Sequence, residues 1–550
     1  MTIGTTLEET QRLQKEELHK KIDAMAETMY GITDAKNYKD YILGLMFYRY
    51  LCEREEAVVF ARYKASVDDC YALRPADLEA YCINGSNLGF FIKPKFLFSK
   101  MVEAANKPSG SENSFNYTDL RDAIIDYNEM VSRSEAKEAY ENLLDGIKLD
   151  IVELGETPSE KSENIGSIIK QVASIDIDLK TSKIDLIGET YEYIIGTYSD
   201  ISVSSKTGSF YTPKAIAEIL ARITCYKRKN VDSVYDPTSG SCSLLMSVKH
   251  HIENDNGGRV KMFYSQELVP ETYNLGRMNM ILHGVKYNEF KAYRGNTLSN
   301  PQPSVEDLKE KFDIITANFP YSTSVGATKD KPAVLTDEKL AKDERFNKAG
   351  AYPTDAKKGD YAFIEHIVYC LKDDGIAGIV CPHGVLFRGS KESTIRDYLF
   401  NKCNYLEAVI GLPANTFQNT GIAVCLLILR KNKTSKNVLF IDAKDCYEHN
   451  RAINNVREED ISLIVDEYRH FFDNPDYKSE KEIVVNANEE LLKKNKYNLN
   501  IARFVDTYKE EALPNFSDII SQINSLATMI NTQEKNYIAF ASKIKETSNG

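Results

Sequence analysis

Hydrophobic residues divide the chain into three parts with different periodicities. Over residues 37–56, apolar side chains recur three and four positions apart, which predicts a helix, and helical patterns continue to about residue 165. Beyond Pro213, short apolar runs alternate with helix-like segments, and the final part of the chain returns to helical spacing. We therefore predict a helical N-terminal domain at residues 1–170, an α/β domain at 171–445 and a helical C-terminal region at 446–550.

The alternating part predicts a doubly wound, mostly parallel sheet. The predicted strands are residues 231–235, 260–266, 312–317, 376–381, 405–411 and 422–429, with one more strand before Gly295. The predicted helices between them are residues 243–251, 273–283, 361–371 and 391–401. In such sheets ligands bind beyond the carboxyl ends of the strands, so functional residues are expected at those ends.

A long polar stretch at residues 322–358 directly follows one of the predicted strands. Stretches of this length inside a domain commonly cover a binding site or are disordered. The pattern leaves two interpretations open, a loop that covers a substrate and a flexible insertion.

A narrow apolar stripe predicts a helix that begins near Ser517. Its members are Ile519, Ile523, Leu526 and Ile530, in alternating steps of four and three. This spacing is typical of a coiled-coil seam and favours a partner helix. Packing of the stripe on the rest of the chain is the alternative.

The net charge of −12 bears on any function that involves nucleic acid. DNA binding depends on clustered Lys and Arg, so an acidic chain either carries a local basic face or obtains DNA affinity from a partner. The sequence has no apolar run of the ~18 residues that span a bilayer, and its first residues lack the apolar stretch of a signal peptide. These features predict a cytoplasmic protein without a membrane segment.

The ten cysteines occur without a CxxC pair. Without paired spacing, the sequence predicts neither a zinc site nor a disulfide framework. We therefore expect reduced, scattered thiols and no metal.

Small residues follow the first predicted strand, at residues 236–243. A turn of this kind lets the backbone approach a ligand closely, and the N-terminus of the next helix offers N–H groups. A plain strand-to-helix connection would look similar. The candidate cofactor-binding residues in this turn are Asp236, Ser239, Gly240 and Ser241.

Two further strand ends extend this candidate cofactor site. Glu267 ends the second strand, where a carboxylate can accept both ribose hydroxyls of a nucleoside. Asn296 and Thr297 lie in the turn after the next strand, in a position to touch an adenine edge. Each signal is weak alone, but their order at consecutive strand ends predicts a nucleoside-cofactor site.

A tetrapeptide suited to amine chemistry, Asn318-Phe319-Pro320-Tyr321, ends the strand at residues 312–317. The exocyclic amine of adenine is a poor nucleophile because its lone pair is delocalised into the ring. The side-chain oxygen of Asn318 and the carbonyl of Phe319 could accept its hydrogens, while Pro320 fixes the turn. Tyr321 offers a flat face against which an extracted base can stack. Direct methyl transfer then requires positioning and electrostatics.

These segments resemble the motifs of amino-methyltransferases. Residues 318–321 resemble the (N/D)PP(Y/F) motif, and residues 236–243 resemble the first cofactor motif, DPxxGSGxxL. Residues 207–213 look like the G-x-(F/Y)-(F/Y)-T-P segment that closes over the cofactor. The resemblance implies that this last segment contributes the cofactor-binding residues Phe210, Tyr211, Thr212 and Pro213. Cofactor motifs that precede the catalytic motif are typical of the γ-type DNA adenine methyltransferases.

The whole layout is similar to the modification subunit of Type I restriction–modification systems. The further stretches that carry this resemblance are residues 38–45, 359–366, 420–424 and 498–504. The resemblance implies a Rossmann-like methyltransferase core that transfers a methyl group from S-adenosylmethionine to N6 of a flipped-out adenine. It also implies a bacterial or archaeal defence complex on double-stranded DNA, with two modification subunits for each specificity subunit and with restriction subunits for cleavage.

The chain departs from the family pattern at three positions. Cys242 stands where Gly is usual, Asn296 stands where an acidic residue is common, and Phe319 replaces the first Pro of the catalytic motif. These departures keep open a different class of function, an inactive subunit that only holds a specificity protein.

Two other classes of methyltransferase are less consistent with the sequence. A protein-glutamine or ribosomal-RNA amine methyltransferase could use the same tetrapeptide but would not need the long helical ends. A cytosine-C5 enzyme needs a cysteine nucleophile after the catalytic strand, and Cys381 before Pro382 is in reversed order on a later strand. We reject the cytosine-C5 class.

Overall fold

The computed structural model describes residues 16–24, 27, 35–86, 88–175, 186–198, 212–325, 334–353, 358–417, 421–449, 453–506 and 516–547. Its helices are α1 Ala35–Tyr63, α2 Val67–Leu73, α3 Pro75–Ala80, α4 Phe98–Ala105, α5 Tyr117–Ser132, α6 Lys137–Tyr140, α7 Pro158–Ser174, α8 Leu186–Tyr198, α9 Lys214–Thr224, α10 Ser243–His250, α11 Pro270–Leu282, α12 Val305–Leu308, α13 Asp337–Lys342, α14 Asp360–Cys370, α15 Gly384–Phe387, α16 Lys391–Arg396, α17 Glu458–Asp473, α18 Glu489–Lys494 and α19 Phe516–Thr547. Its strands are β1 Asn230–Asp236, β2 Arg259–Glu267, β3 Phe290–Arg294, β4 Phe312–Asn318, β5 Leu371–Pro382, β6 Leu406–Gly411, β7 Val424–Arg430, β8 Val438–Asp442, β9 Glu448–His449, β10 Asn454–Asn455 and β11 Val484–Ala487.

The main sheet has the strand order β11-β8-β6-β7-β5-β4-β1-β2-β3 in the described part of the chain. Pairing is parallel from β3 through β2, β1 and β4 to β5, and between β6 and β8. Strand β7 runs antiparallel to β5 and β6, and β11 runs antiparallel to β8. The predicted doubly wound, mostly parallel α/β fold is therefore confirmed.

The sheet order reverses at β1, which pairs with β2 on one side and with β4 on the other. The chain runs outward from β1 to β2 and β3 and then returns to β4 on the other side of β1, so a crevice opens outside the carboxyl ends of β1 and β4. Both candidate sites predicted from sequence follow these two strands.

Each predicted strand coincides with an observed strand to within a few residues. The sheet also extends beyond residue 445, since β11 pairs with β8 at its edge. The part of the chain assigned to a helical region by its periodicity thus contributes a strand to the sheet, in addition to helices α17 and α19.

Two hydrophobic cores cover the two faces of the sheet. One contains Val234 and Ile314 together with the N-terminal helices, and the other contains Tyr235 and Ile315 together with α14. Neighbouring residues of β1 and of β4 enter opposite cores, as the pleat of a strand requires. The N-terminal helices therefore pack as a layer on the first face.

Helix α1 illustrates this N-terminal layer. Ile42, Leu45, Met46 and Leu51, from the apolar face predicted by sequence, are all buried. Phe47 and its neighbour Tyr48 are buried as well, so the helix is covered on more than one side. None of the described helices is both long and apolar enough to cross a membrane.

The stretch after the tetrapeptide contributes several buried side chains to the second core. Leu335, Leu340 and Phe346 are buried in the second core, and Thr336 caps α13 by accepting from the N–H of Lys339. Residues 326–333 and 354–357 lie outside the described residues. The described part of this stretch is thus integrated into the second core.

The C-terminal residues from Asp506 onward form a unit of their own. Helix α19 begins at Phe516, so Ser517 lies in its first turn. The predicted stripe is exposed along this helix, as are further apolar side chains; the stripe and the two aromatic residues beyond it comprise Ile519, Ile523, Leu526, Ile530, Tyr537 and Phe540.

Candidate active site

Asn318 is the last residue of β4, and its side chain is held at both ends. Its amide Nδ2 donates to Thr212 Oγ1 at 3.0 Å, and its Oδ1 accepts from the Tyr321 hydroxyl at 2.7 Å. Thr212 belongs to the segment predicted from the family resemblance to close over the cofactor, and Pro213 directly precedes α9. The structure thus brings Thr212 of that segment into contact with the tetrapeptide.

The two aromatic rings of the tetrapeptide have different surroundings. Phe319 is buried and stacks on Phe363 of α14, with ring centroids 5.1 Å apart and planes at 7°. Its ring therefore anchors the turn in the second core, so its replacement of the usual Pro is accommodated there. Tyr321 meets the ring of Phe417 at 85° and a centroid distance of 6.5 Å. Burial raises the pKa of the Tyr321 phenol well above its ordinary value, so the hydroxyl remains a donor at neutral pH.

A clamp that sequence reasoning missed fixes the next residues of the turn. The N–H of Ser322, at φ +54°, donates to Asp360 Oδ1 at 2.7 Å, and Arg388 binds the other carboxylate oxygen. Asp360 is the first residue of α14, where a carboxylate is favoured by the helix dipole. Sequence showed the acid at a helix start, but not that it faces the tetrapeptide.

The turn after β1 is bonded to the end of β2. The N–H of Ser239 donates to the Gln266 carbonyl at 3.0 Å, and the N–H of Gly240 donates to Glu267 Oε2 at 2.9 Å. Gly240 has φ +51°, and a Cβ built on it would meet no atom within 4 Å. The loop is therefore preorganised, with open space beside Gly240.

Asp236 and Glu267 place two buried carboxyl groups at this crevice. Asp236 accepts from the N–H of Thr238 at 2.9 Å, and Glu267 Oε1 accepts from the N–H of Val269 at 2.9 Å. Burial, with Glu267 nearby, raises the pKa of Asp236 to about 8. Burial also raises the pKa of Glu267, against backbone N–H groups that favour its charged form. A cation would be attracted to this pair.

In the third turn, the side chain of Asn296 caps its own backbone. The Oδ1 of Asn296 accepts from the N–H groups of Leu298 and Ser299, at 3.0 and 3.1 Å, so it caps its own turn. A contact between Asn296 and a ligand therefore falls to its Nδ2 group, which donates. The Thr297 hydroxyl donates to the Pro237 carbonyl and joins this turn to the first one.

Cys242 packs against helix α11. It has φ +62°, a left-handed conformation that favours glycine, and its thiol is buried against Gly276 of α11. A Cβ on Gly276 would lie 2.7 Å from the Cys242 Sγ. Glycine at 276 thus leaves the room that cysteine at 242 needs. The neighbouring Ser241 hydroxyl shares a hydrogen bond with Ser243 at 2.9 Å.

The residues at the crevice fit a cationic nucleoside cofactor. The Thr238 hydroxyl oxygen is buried without a hydrogen-bond partner in the described part of the chain. Leu268, next to Glu267, is 58% exposed and offers an apolar surface of the kind that a flat base covers. The open space at Gly240 lets a ligand approach the backbone. The buried carboxyl pair suits a positively charged group, and the apolar surface suits a base.

Most of the predicted site residues gather at this crevice. Residues 236–241 and Glu267 are joined by hydrogen bonds, Thr297 connects to them through Pro237, and Thr212 meets Asn318. Phe210 and Tyr211 lie outside the described residues.

Cys381, rejected above as a nucleophile, is fully buried, and burial raises the pKa of its thiol well above the ordinary value.

Comparisons with known proteins point to one family. The model of the N-6 DNA Methylase family matches residues 182–512, and that of the HsdM N-terminal domain matches residues 18–172. The Type I restriction enzyme MpnII methylase subunit of Mycoplasma pneumoniae is 31% identical over 523 residues, which cover 92% of each chain.

Solved structures agree with these sequence matches. The methyltransferase subunit of a type I restriction-modification system from Streptococcus thermophilus matches with a TM-score of 0.77 and 32% identity, over 90% of this chain and 100% of that one. A chain from a structure on assembly of the type I R-M system, 17% identical, matches with a TM-score of 0.60 over 95% and 96% of the two chains, and supports the fold alone. The chain therefore belongs to the N-6 DNA methylase family, among the methylase subunits of Type I restriction–modification systems.

Proposed function

We propose that this subunit transfers a methyl group from S-adenosylmethionine to the N6 amine of an adenine in double-stranded DNA. The observation that carries the proposal is the position of Asn318, at the end of β4, beside a preorganised crevice at the end of β1. Family membership makes the chain a methyltransferase. The adenine target and the cofactor are inferred from the chemistry of these two strand ends.

Asn318 and the Phe319 carbonyl supply the acceptors that an exocyclic amine needs. Thr212 accepts from Nδ2 of Asn318, which leaves Oδ1 directed toward Tyr321. An amide oxygen has two lone pairs, so Oδ1 can accept an amine hydrogen while it keeps the Tyr321 hydroxyl. Two accepted hydrogens localise the nitrogen lone pair and make the amine more nucleophilic.

An adenine inside a duplex cannot reach these acceptors unless it leaves the stack. We propose that the Tyr321 ring receives the extracted base. Its contacts with Phe319 and Phe417 are both perpendicular, at 82° and 85°. Neither neighbour therefore lies parallel to a face of the Tyr321 ring, and the two contacts fix its orientation.

The crevice at β1 and β2 would hold the cofactor. S-adenosylmethionine, when bound, supplies the methyl group on a positively charged sulfur. Glu267 would accept the ribose hydroxyls on its carboxylate oxygens, which also hold the N–H groups of Gly240 and Val269, and Asp236 would supply negative charge once the bound cation favours loss of its proton. The Nδ2 group of Asn296 would donate to a ring nitrogen of the cofactor base.

The remaining parts of the proposal concern partners. We infer that a specificity subunit selects the DNA sequence, with two chains of this kind for each specificity subunit, and that restriction subunits join the same complex. The net charge of −12 supports a division of labour in which the partner supplies part of the basic DNA-binding surface.

The test is the substitution Asn318→Ala in the chain co-expressed with its specificity subunit. We expect methylation of adenine to fall by about a thousandfold or more, because a preorganised acceptor is lost, while binding of S-adenosylmethionine stays close to that of the unchanged chain. Methylated adenines are mapped in genomic DNA, and cofactor binding is measured by calorimetry. Asn347→Ala, an exposed asparagine, is the matched control. Unchanged methylation in the Asn318→Ala chain would refute the assignment.

A further inference from the structure

Arg345, in the packed stretch after the tetrapeptide, reaches the cofactor side of the crevice. Its side chain is 1% exposed. Nη1 donates to the Thr297 carbonyl at 3.0 Å, and Nη2 donates to the Leu298 carbonyl at 2.7 Å. Asp343 accepts from Nε and Nη2 at 3.0 and 2.7 Å, which fixes the plane of the guanidinium. The planar fork is what allows one side chain to bind two successive carbonyls.

The turn bound by Arg345 is also held from the other side. Gln266, at the end of β2, donates through Nε2 to the Asn300 carbonyl at 2.8 Å and accepts from the Gln302 N–H at 3.1 Å. Residues 296–302 thus lie between the cofactor strand β2 and the stretch that follows the catalytic strand. The position of this turn therefore depends on β2 and on the stretch that contains Arg345.

A buried relay continues from Arg345 to β1. Nη1 lies 3.1 Å from His366 Nδ1, and His366 Nε2 lies 3.2 Å from the Tyr235 hydroxyl. Burial, with Arg345 nearby, lowers the pKa of His366 well below its ordinary value, so the ring is neutral. Arg345 then donates to Nδ1, and the Nε2–H group donates to Tyr235. Tyr235 directly precedes Asp236 in β1.

We propose that Arg345 is a positioning residue for cofactor binding, which sets the turn at residues 296–298 and, through His366, the end of β1. The inference rests on the proposed function, since it assigns these turns to the cofactor. Arg345 acts on the crevice through the backbone carbonyls of Thr297 and Leu298 and not as a ligand of the cofactor. Its role is to couple the stretch after the catalytic strand to the geometry of the cofactor turns.

The first test compares Arg345→Lys with the unchanged chain, each in complex with the specificity subunit. Lysine keeps the charge but cannot bind two carbonyls in one plane. We expect the Kd for S-adenosylmethionine, measured by calorimetry, to rise about tenfold. The kcat at saturating cofactor should stay within roughly threefold, and the KM for DNA should not change. Lys348→Met, an exposed charge on the same stretch, is the matched control and should leave all three constants unchanged.

The second test needs no bound cofactor. Hydrogen exchange of the amides at Leu298 and Ser299, which Asn296 holds, should become faster in Arg345→Lys and stay unchanged in Lys348→Met. Tyr235→Phe removes only the hydroxyl at the far end of the relay and keeps the core filled, so it remains informative if Arg345→Lys fails to fold. It should raise the Kd by roughly threefold.

Distinct outcomes separate this inference from the proposed function. If the unchanged chain binds S-adenosylmethionine but Arg345→Lys and Tyr235→Phe bind it equally well, the positioning role is wrong and the proposed function stands. A lower kcat in Arg345→Lys with an unchanged Kd for S-adenosylmethionine would also refute the positioning role. If the unchanged complex does not bind S-adenosylmethionine at all, the proposed cofactor, and this inference with it, is wrong.

Discussion

At the scale of residues, Asp236 makes cofactor binding depend on pH. Burial raises the pKa of this carboxyl to about 8 in the free chain, so at neutral pH it is mostly protonated. A bound sulfonium or ammonium group favours the carboxylate and lowers this pKa. The affinity for S-adenosylmethionine should therefore rise as the pH is raised from about 6 to about 8, with release of a proton on binding.

Calorimetry in two buffers with different ionisation enthalpies measures that proton release directly. Asp236→Asn keeps an oxygen for the Thr238 N–H and removes the titration, so its affinity should be weaker and nearly independent of pH. If the affinity of Asp236→Asn for S-adenosylmethionine changed with pH as steeply as that of the unchanged chain, the Asp236 carboxyl would not be the titrating group.

The residues of the candidate site show which of its features could be predicted from the sequence. Asn318 was predicted to accept an amine hydrogen and Tyr321 to stack on the base, and the structure adds a hydrogen bond of 2.7 Å from the Tyr321 hydroxyl to Asn318 Oδ1. Asn318 is also bonded to Thr212, and Ser322, next to Tyr321, is bonded to Asp360. These partners are far apart in the chain, and the periodicity of a sequence carries no information on such contacts. The sequence placed Asn296 at the turn but could not show that its side-chain oxygen caps that turn, a local competition typical of Asn.

At the scale of elements, the contact between α11 and the turn after β1 depends on Gly276. Alanine is the better helix former by about 1 kcal/mol, so helix propensity alone favours Gly276→Ala. A Cβ there would lie 2.7 Å from Cys242 Sγ and 2.8 Å from the Gly240 carbonyl. We expect the clash to prevail and lower the free energy of unfolding by about 1–3 kcal/mol. Displacement of the Gly240 turn should also weaken cofactor binding.

Denaturant unfolding and cofactor titration measure both effects. Gly166→Ala in α7 is a matched control, since a Cβ there meets only ordinary contacts at 3.4 Å or more. Cys242→Gly removes the thiol and relieves its left-handed conformation, so the double variant should recover part of the loss, with a coupling of roughly 0.5–3 kcal/mol. Additive effects of the two substitutions would show that the thiol contact does not matter.

The strands predicted from sequence were all found, but the short strands β8 and β11 were not predicted. Strand β11 has four residues and pairs only at the sheet edge, where register depends on tertiary contacts. Its position beyond residue 445 could not be read from a pattern that otherwise indicates helix.

At the scale of the whole molecule, the N-terminal helices and the sheet share one core. Arg277 of α11, which is 3% exposed, donates to the carbonyls of Glu138 and Glu141, both at 3.0 Å. Helix α11 begins three residues after Glu267, so the helical layer is attached next to the cofactor crevice. Periodicity predicted a helical domain at residues 1–170, but it could not show that the described helices of this range share a hydrophobic core with the sheet.

The C-terminal helix carries the last prediction, which concerns assembly. Contiguous exposed apolar surface commonly marks an interaction site, and the stripe of α19 is exposed along its length. Deletion of residues 516–550 should therefore weaken co-purification with the specificity subunit by about tenfold or more, while the unit that ends at Val505 still unfolds cooperatively. A second variant, Ile523→Asp with Ile530→Asp, should act in the same way because it charges the stripe.

The matched control for that variant introduces the same charges on the opposite face of α19, as Ser521→Asp with Thr532→Asp. These positions lie about half a turn from Ile523 and Ile530, so association should be retained. Pull-down yield and the mass of the complex by light scattering distinguish the cases. Equal loss with both pairs of substitutions would mean that charge or helix stability, and not the apolar stripe, governs assembly. Normal assembly of the truncated chain would place the interface elsewhere.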